Sequence, residues 1–211
     1  MTHGRFVTIE GIEGAGKSTC VDLLRQRIEA RGHAVVLTRE PGGTALGEEL
    51  RTLLLGHRDD DMADTTELLL MFAARAEHLH KVIEPALQAG SWVLCDRFTD
   101  ATYAYQGYGR GIDLGRIEAL EQWVQGNRRP DLTLLMDLPV ATGLARAGRR
   151  SAPDRFERQA LDFFDRVRAG YRALAERWPQ RFRVIDAEPD LDRVSGQIVA
   201  AIDGFLDEVE A

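Results

Sequence analysis

The chain has 211 residues, 44% of them hydrophobic and 29% charged, and carries a formal net charge of -7. A chain of this length forms one domain with a full core, expected to span 1–211, and the balance gives no case for disorder. Net acidity argues against broad non-specific nucleic-acid binding, which needs a basic face, but leaves room for a local cationic pocket. The N-terminal stretch MTHGRFVTIEG lacks the pattern of a signal peptide, and no apolar run approaches membrane-spanning length, so no membrane partner is expected. Cys20 and Cys95 lack metal or redox spacing, and a reducing cytoplasm is the expected setting.

Short apolar runs alternate with longer helical patterns. In chain order, FVTIE (6–10) reads as a strand, 17–31 as a helix, AVVLT (34–38) as a strand, and about 44–56 and 64–89 as helices, with Pro85 placed to kink or divide the second. WVLCD (92–96) is the third strand and 113–126 the next helix. LTLLMD (132–137) and FRVIDA (182–187) complete the strands, with helices at 139–147, 156–177 and 190–209. The five runs read as strands buried on both faces, and the alternation implies a five-stranded parallel α/β sheet flanked by helices on both faces. In such sheets ligands bind beyond the carboxyl ends of the strands. TDATYAYQGYGRGI (99–112), with three tyrosines and a glutamine among glycines, reads as a surface loop. AGRRSAPDR (147–155), arginine-rich and broken by Gly148 and Pro153, reads as a short lid over the site.

GIEGAGKST (11–19) satisfies G-x-x-x-x-G-K-[ST] between a strand and a helix, which places the chain in the P-loop NTPase fold. Gly11, Gly14, Ala15 and Gly16 turn backbone N–H groups inward around phosphate oxygens, and the helix N-terminus adds its dipole. Lys17 is expected to reach the β and γ phosphates of a nucleoside triphosphate, with Ser18 completing the motif on Mg²⁺ and Thr19 following it in the nucleotide site. No N-K-x-D segment marks a GTPase, and Asp96 is followed by Arg97 rather than by a second carboxylate, so a small-molecule kinase fits better than a switch or motor.

DRF (96–98) follows the third strand, so it shares a sheet edge with the phosphate loop. Asp96 can hold Mg²⁺ and Arg97 can fork onto a phosphate, although a strand-end ion pair has the same appearance. TREPGGT (38–44) emerges from the second strand. In LLLMFAARAEH (68–78), Phe72 and Arg75 fall one helical turn apart, placed either to stack on and hydrogen-bond a nucleobase or to serve as core and solvated charge.

With RPDLTLLMDL and ARAGRRSAPDRFE added, these segments in this order resemble the bacterial thymidylate kinase family from about residue 5 to residue 187. The resemblance implies transfer of the γ-phosphate of ATP to thymidine 5′-monophosphate (dTMP) with Mg²⁺, by a homodimer. It implies that Phe72 stacks on thymine, Arg75 bonds O4, Thr102 reads the N3 edge and Pro41 lies near the 5-methyl group. It further implies that Tyr105 packs against the deoxyribose, that Gln106 adds a base or sugar contact, and that Arg39 and Arg97 face the acceptor phosphate. Glu13 points across the phosphate loop to the acceptor and helps orient Arg97; the plainer reading is a solvated loop carboxylate.

The family includes a group whose catalytic charge sits in the lid, and this chain resembles it, with Glu13 in the phosphate loop and Arg146, Arg149, Arg150 and Arg155 in or beside the lid. Arg150 matches the catalytic position and Arg146 the adenine or phosphate contact; Arg149 receives no role. An arginine of this kind contributes about 10³–10⁵ in rate. The acceptor is already an anionic phosphate, so no general base is needed, and His3, His33, His57, His78 and His80 read as structural or surface residues. DAEP (186–189) is expected to border adenine. A deoxynucleoside kinase acting on thymidine is the rival, with Glu40 as its base. A nucleotide-binding regulator is the rival from another class.

Overall fold

The computed structural model describes residues 4–56, 61–148, 155–156 and 159–210. Its centre is a parallel sheet of β1 (Phe6–Glu10), β2 (Val35–Arg39), β3 (Trp92–Asp96), β4 (Leu132–Asp137) and β5 (Phe182–Asp186), in the order β2-β3-β1-β4-β5. β1 is central, pairing Ile9 with Asp96 on one side and with Leu134 on the other, so its carboxyl end opens at a point where strand order reverses.

Alternation along β3 shows why the central strands read as continuous apolar runs. Trp92 and Leu94 join one core cluster, with Leu24 and Ile28, while Val93 and Cys95 join another, with Phe6, Ile83 and Phe98. The edge strands differ from expectation. β2 and β5 are only partly buried, with Leu37 45% and Val184 54% exposed, because each has a neighbour on one side only.

The helices are α1 (Lys17–Ala30), α2 (Ala45–Leu55), α3 (Asp64–His78), α4 (Glu84–Gln88), α5 (Thr99–Thr102), α6 (Leu114–Gln125), α7 (Val140–Ala147), α8 (Leu161–Arg177) and α9 (Leu191–Glu210). Thr44 caps α2 by accepting from the Gly47 N–H at 2.9 Å. The pattern over 64–89 divides as Pro85 suggested: a π-helical turn, Leu79–Ile83, joins α3 to α4, and Pro85 falls in the first turn of α4. α8 begins later than expected, at Leu161 rather than 156.

The largest departure is at 99–112. These residues form α5 and a buried π-helical segment, Tyr103–Gly109, packed against α8. Its glycines serve close approach. A Cβ at Gly109 would fall 2.7 Å from the Phe163 ring and one at Gly107 2.6 Å from Leu114. The tyrosines are therefore wall, not surface loop.

Candidate active site

At the carboxyl end of β1 the chain turns into the phosphate loop through Gly11, Gly14 and Gly16, all at positive φ. A Cβ on Gly14 would lie 1.9 Å from the Gly143 carbonyl oxygen, so only glycine lets α7 close on the loop. Gly16 caps α1 in the left-handed conformation, which aims the first N–H groups of α1 at the loop's centre. Lys17 Nζ donates to the Gly11 and Ile12 carbonyl oxygens at 3.1 and 2.9 Å. Desolvation and then the nearby Arg97 lower its pKa to about 8.

A cavity of about 280 Å³ runs from this loop toward α3 and the Tyr103–Gly109 segment. Of the residues expected to act, Glu13, Gly14, Ala15, Gly16, Lys17 and Ser18 line it, as do Pro41, Arg75, Asp96, Arg97, Thr102, Tyr105 and Gln106. The phosphate loop and the candidate acceptor residues thus share one chamber.

Arg97 sits at φ +68°, a conformation that costs a non-glycine residue about 1–3 kcal/mol and signals a functional turn. Two contacts hold the turn: Arg97 N–H donates to the Ile9 carbonyl, and Phe98 N–H donates to Glu10 Oε1 at 2.7 Å. The turned-back guanidinium donates to Glu13 Oε1 at 2.8 Å and to the Tyr171 hydroxyl at 3.2 Å, with its centre 4.9 Å from that of the Tyr105 ring. Burial opposes its charge, but Tyr105, Glu13 and Tyr171 outweigh that and hold its pKa well above the usual value. Tyr105 Oη donates to Glu13 at 2.8 Å. Glu13 is therefore not a solvated loop carboxylate; it ties the phosphate loop to Arg97 and Tyr105. Behind this layer, Tyr171 Oη donates to Glu10, whose pKa burial raises to about 8.

At the far end, Arg75 Nε donates to Glu40 Oε2 at 2.8 Å and Arg75 Nη2 to Thr102 Oγ1 at 3.0 Å. The centres of the Phe72 and Phe98 rings lie 4.9 and 5.0 Å from the guanidinium carbon. Among the described residues, two buried side-chain atoms lack a hydrogen-bond partner, Arg75 Nη1 and Asp96 Oδ1, and both residues line the cavity. Buried polar atoms are rarely left unpaired, so both point to a ligand.

Several expectations do not match the positions found. Phe72 is 2% exposed beneath Arg75 and does not line the cavity; Met71 does. Arg39 pairs with Glu48 at 2.8 Å outside the chamber, because it ends an edge strand and its side chain is half exposed. Arg51 takes its place on the wall. It donates to the Pro41 carbonyl at 2.9 Å, and burial and then Arg39 lower its pKa. Sequence spacing made Arg51 an ordinary polar residue of α2, and nothing local marked it. Gly11 and Thr19 belong to the loop and α1 but not to the lining, and Thr19 is exposed. Arg146 donates to the Ala187 and Glu188 carbonyls at 2.8 and 2.9 Å, joining α7 to the segment after β5. Arg149 and Arg150 lie outside the described residues. Arg155 pairs with Glu67, which also accepts from Gln106 at 2.8 Å. Glu40 is held between Arg75 and His78, so it is not poised as a base.

A sequence profile described as thymidylate kinase matches residues 9–198. The chain is 57% identical to the thymidylate kinase of Alkalilimnicola ehrlichii, with 100% of both chains covered. It is 58% identical to that of Methylococcus capsulatus, with 98% of each covered. The crystal structure of thymidylate kinase from Ehrlichia chaffeensis superposes with a TM-score of 0.75 at 36% identity, covering 95% of this chain and 99% of that one. The phosphate loop, the arginine-lined chamber and these matches together show that the chain belongs to the thymidylate kinase family.

Proposed function

We propose that the chain transfers the γ-phosphate of ATP to dTMP, giving dTDP and ADP. The observation that carries this reading is the single chamber in which a complete phosphate loop faces Arg97, Arg51 and the unpartnered Arg75 Nη1. Backbone N–H groups of the loop and Lys17 hold the donor phosphates. Arg97, oriented by Glu13, and Arg51 hold the phosphate of dTMP, and Arg75 and Thr102 face its base. Tyr105 flanks the sugar and Pro41 the 5-methyl group. Gln106 and Arg146 take the acceptor and adenine sides respectively. An anionic oxygen of dTMP attacks the γ-phosphorus, the bond to the bridging oxygen breaks, and ADP departs. No proton need be removed from the nucleophile, so alignment and charge neutralisation suffice. Arg150 supplies part of that charge.

Asp96 and Ser18 fit a Mg²⁺ ion: both line the chamber, and the buried, unpartnered Asp96 Oδ1 is a hard anionic donor. When bound with ATP, the ion neutralises charge on the β and γ phosphates. A thymidine kinase reading loses its base, because Glu40 is committed to Arg75 and His78. We further propose a cytoplasmic homodimer. Leu46 and Leu53 on α2 and Leu69 on α3 are about half exposed and offer apolar surface for it, and no described helix is long and apolar enough to cross a membrane.

A coupled ADP-release assay with ATP and Mg²⁺, comparing dTMP and thymidine, tests the reaction. Activity is expected on dTMP and not on thymidine, and the reverse overturns the reading. In the same assay Arg150→Ala is expected to lose about 10³-fold or more in kcat. Full activity in that variant places the catalytic charge elsewhere.

A further inference from the structure

His78, the last residue of α3, is fully buried and bridges two segments of the TREPGGT stretch. Its Nε2 lies 2.5 Å from Thr38 Oγ1 and its Nδ1 3.0 Å from Glu40 Oε1. The Gly42–Gly43 turn closes over the ring so tightly that a Cβ on Gly43 would fall 2.6 Å from Nε2 and 2.6 Å from Thr38 Oγ1. The ring is thus enclosed. A carboxylate can only accept, so the proton of the His78–Glu40 bond resides on Nδ1.

The consequence appears one residue further along the chain of contacts. A free carboxylate facing an arginine frequently forks onto it with both oxygens, through Nε and Nη2 or through the two Nη groups. Glu40 does not: His78 occupies Oε1, and only Oε2 reaches Arg75, through Nε. Arg75 Nη2 is thereby left for Thr102, and Nη1 remains buried and unpartnered. Resting on the proposed reaction, we infer that His78 is a positioning residue for base recognition: by holding one oxygen of Glu40, it keeps an Arg75 N–H available for a carbonyl oxygen at position 4 of the acceptor's pyrimidine. A cytosine presents an amino group there, and two donors would then face each other at a buried guanidinium. Rejection of the 4-amino base therefore depends on Arg75 staying pointed and unshared. Deprived of the His78 donor, Glu40 is free to fork onto Arg75 Nε and Nη2, which displaces Thr102 and turns the guanidinium so that Nη1 no longer points at the base.

The test measures kcat and KM for dTMP, dUMP and dCMP in wild type, His78→Leu and His78→Asn. The asparagine amide can stand in for the Nδ1 donor and the leucine cannot. In His78→Leu, KM for dTMP is expected to rise about 10- to 100-fold, the range for one hydrogen bond involving a charged group, with kcat changed less than about threefold. The preference for dTMP over dCMP is expected to fall by about tenfold or more. The preference for dTMP over dUMP should hold, since both carry the 4-oxo group. His78→Asn should restore most of the dTMP-to-dCMP preference. Thr38→Val, a milder change that frees the same ring, should shift that preference in the same direction by about twofold or more. An equal loss on all three substrates in His78→Leu, or asparagine performing no better than leucine, overturns the inference and makes His78 a packing residue. Absence of wild-type turnover on dTMP would instead sink the reaction reading; turnover with unchanged base preferences sinks the His78 inference alone.

Discussion

The two ends of the chamber solve recognition with different materials. At the proposed donor end, backbone dominates: glycines at positive φ, the head of α1, and Lys17 and Arg146 resting on carbonyl oxygens. At the proposed acceptor end, side chains hold side chains, in the sets Glu13–Arg97–Tyr105 and His78–Glu40–Arg75–Thr102. The difference follows from the ligands. A polyphosphate is a dense anion that any convergent set of N–H groups and cations can hold. A base must be distinguished from close analogues, which requires donors fixed in direction, and only a wired network of side chains fixes them.

That contrast can be broken by substitutions on either side. Of the three substitutions that probe it, Lys17→Ala should have the largest effect on turnover, lowering kcat by about 10²–10³-fold while leaving the Kd for dTMP within about threefold. An equal loss in dTMP affinity, read by calorimetry, would show that the two ends are not separable. Arg75→Gln should strike stability as well as binding. It leaves Glu40 a buried carboxylate with its charged partner gone and His78 alone beside it, and removing one partner of such a pair costs about 3–5 kcal/mol, measurable by denaturant unfolding. Arg146→Ala, whose lost partners are backbone oxygens at a half-open edge, should cost only about 1 kcal/mol. Comparable losses in the two variants would deny that the acceptor end is the wired one.

A further expected effect is a pH dependence confined to the proposed donor end. Burial lowers Lys17 to about 8, so its charge is present below that pH and lost above it. In the free enzyme, kcat/KM for ATP should be flat below about 8 and fall with rising pH, approaching tenfold per unit. At saturating ATP the fall should move to higher pH, because bound phosphate favours the charged amine. A profile flat to well above that pH would mean that Lys17 keeps its ordinary basicity in the fold.

The same contrast governs how much of the molecule was legible in its sequence. The donor end is local in the chain, so a strand, a glycine loop and a lysine at the head of a helix announce it within Phe6–Ser18. The apolar runs likewise located all five strands, but nothing local says that β2 and β5 lie at the edges, since strand order depends on the whole path. The acceptor end is dispersed over four segments. Glu40 and His78 are far apart in the chain, and only the folded sheet edge brings them together. Arg51 and His78 carry no signal beyond ordinary helical positions, and spacing alone leaves Phe72 open between a stacking surface and a core residue; Arg75 lies over its ring. The Tyr103–Gly109 segment misled for a related reason. Its glycines look like loop residues, yet they are there to admit Leu114 and Phe163.

The most direct test of the central claim follows the phosphoryl group itself. The protein is incubated with Mg²⁺, dTMP and ATP labelled in the γ-phosphate, and the nucleotides are separated. Label is expected in dTDP in step with ADP formation, with none in dTMP when thymidine replaces dTMP. Label appearing as inorganic phosphate alone, or on thymidine rather than on dTMP, would contradict that claim.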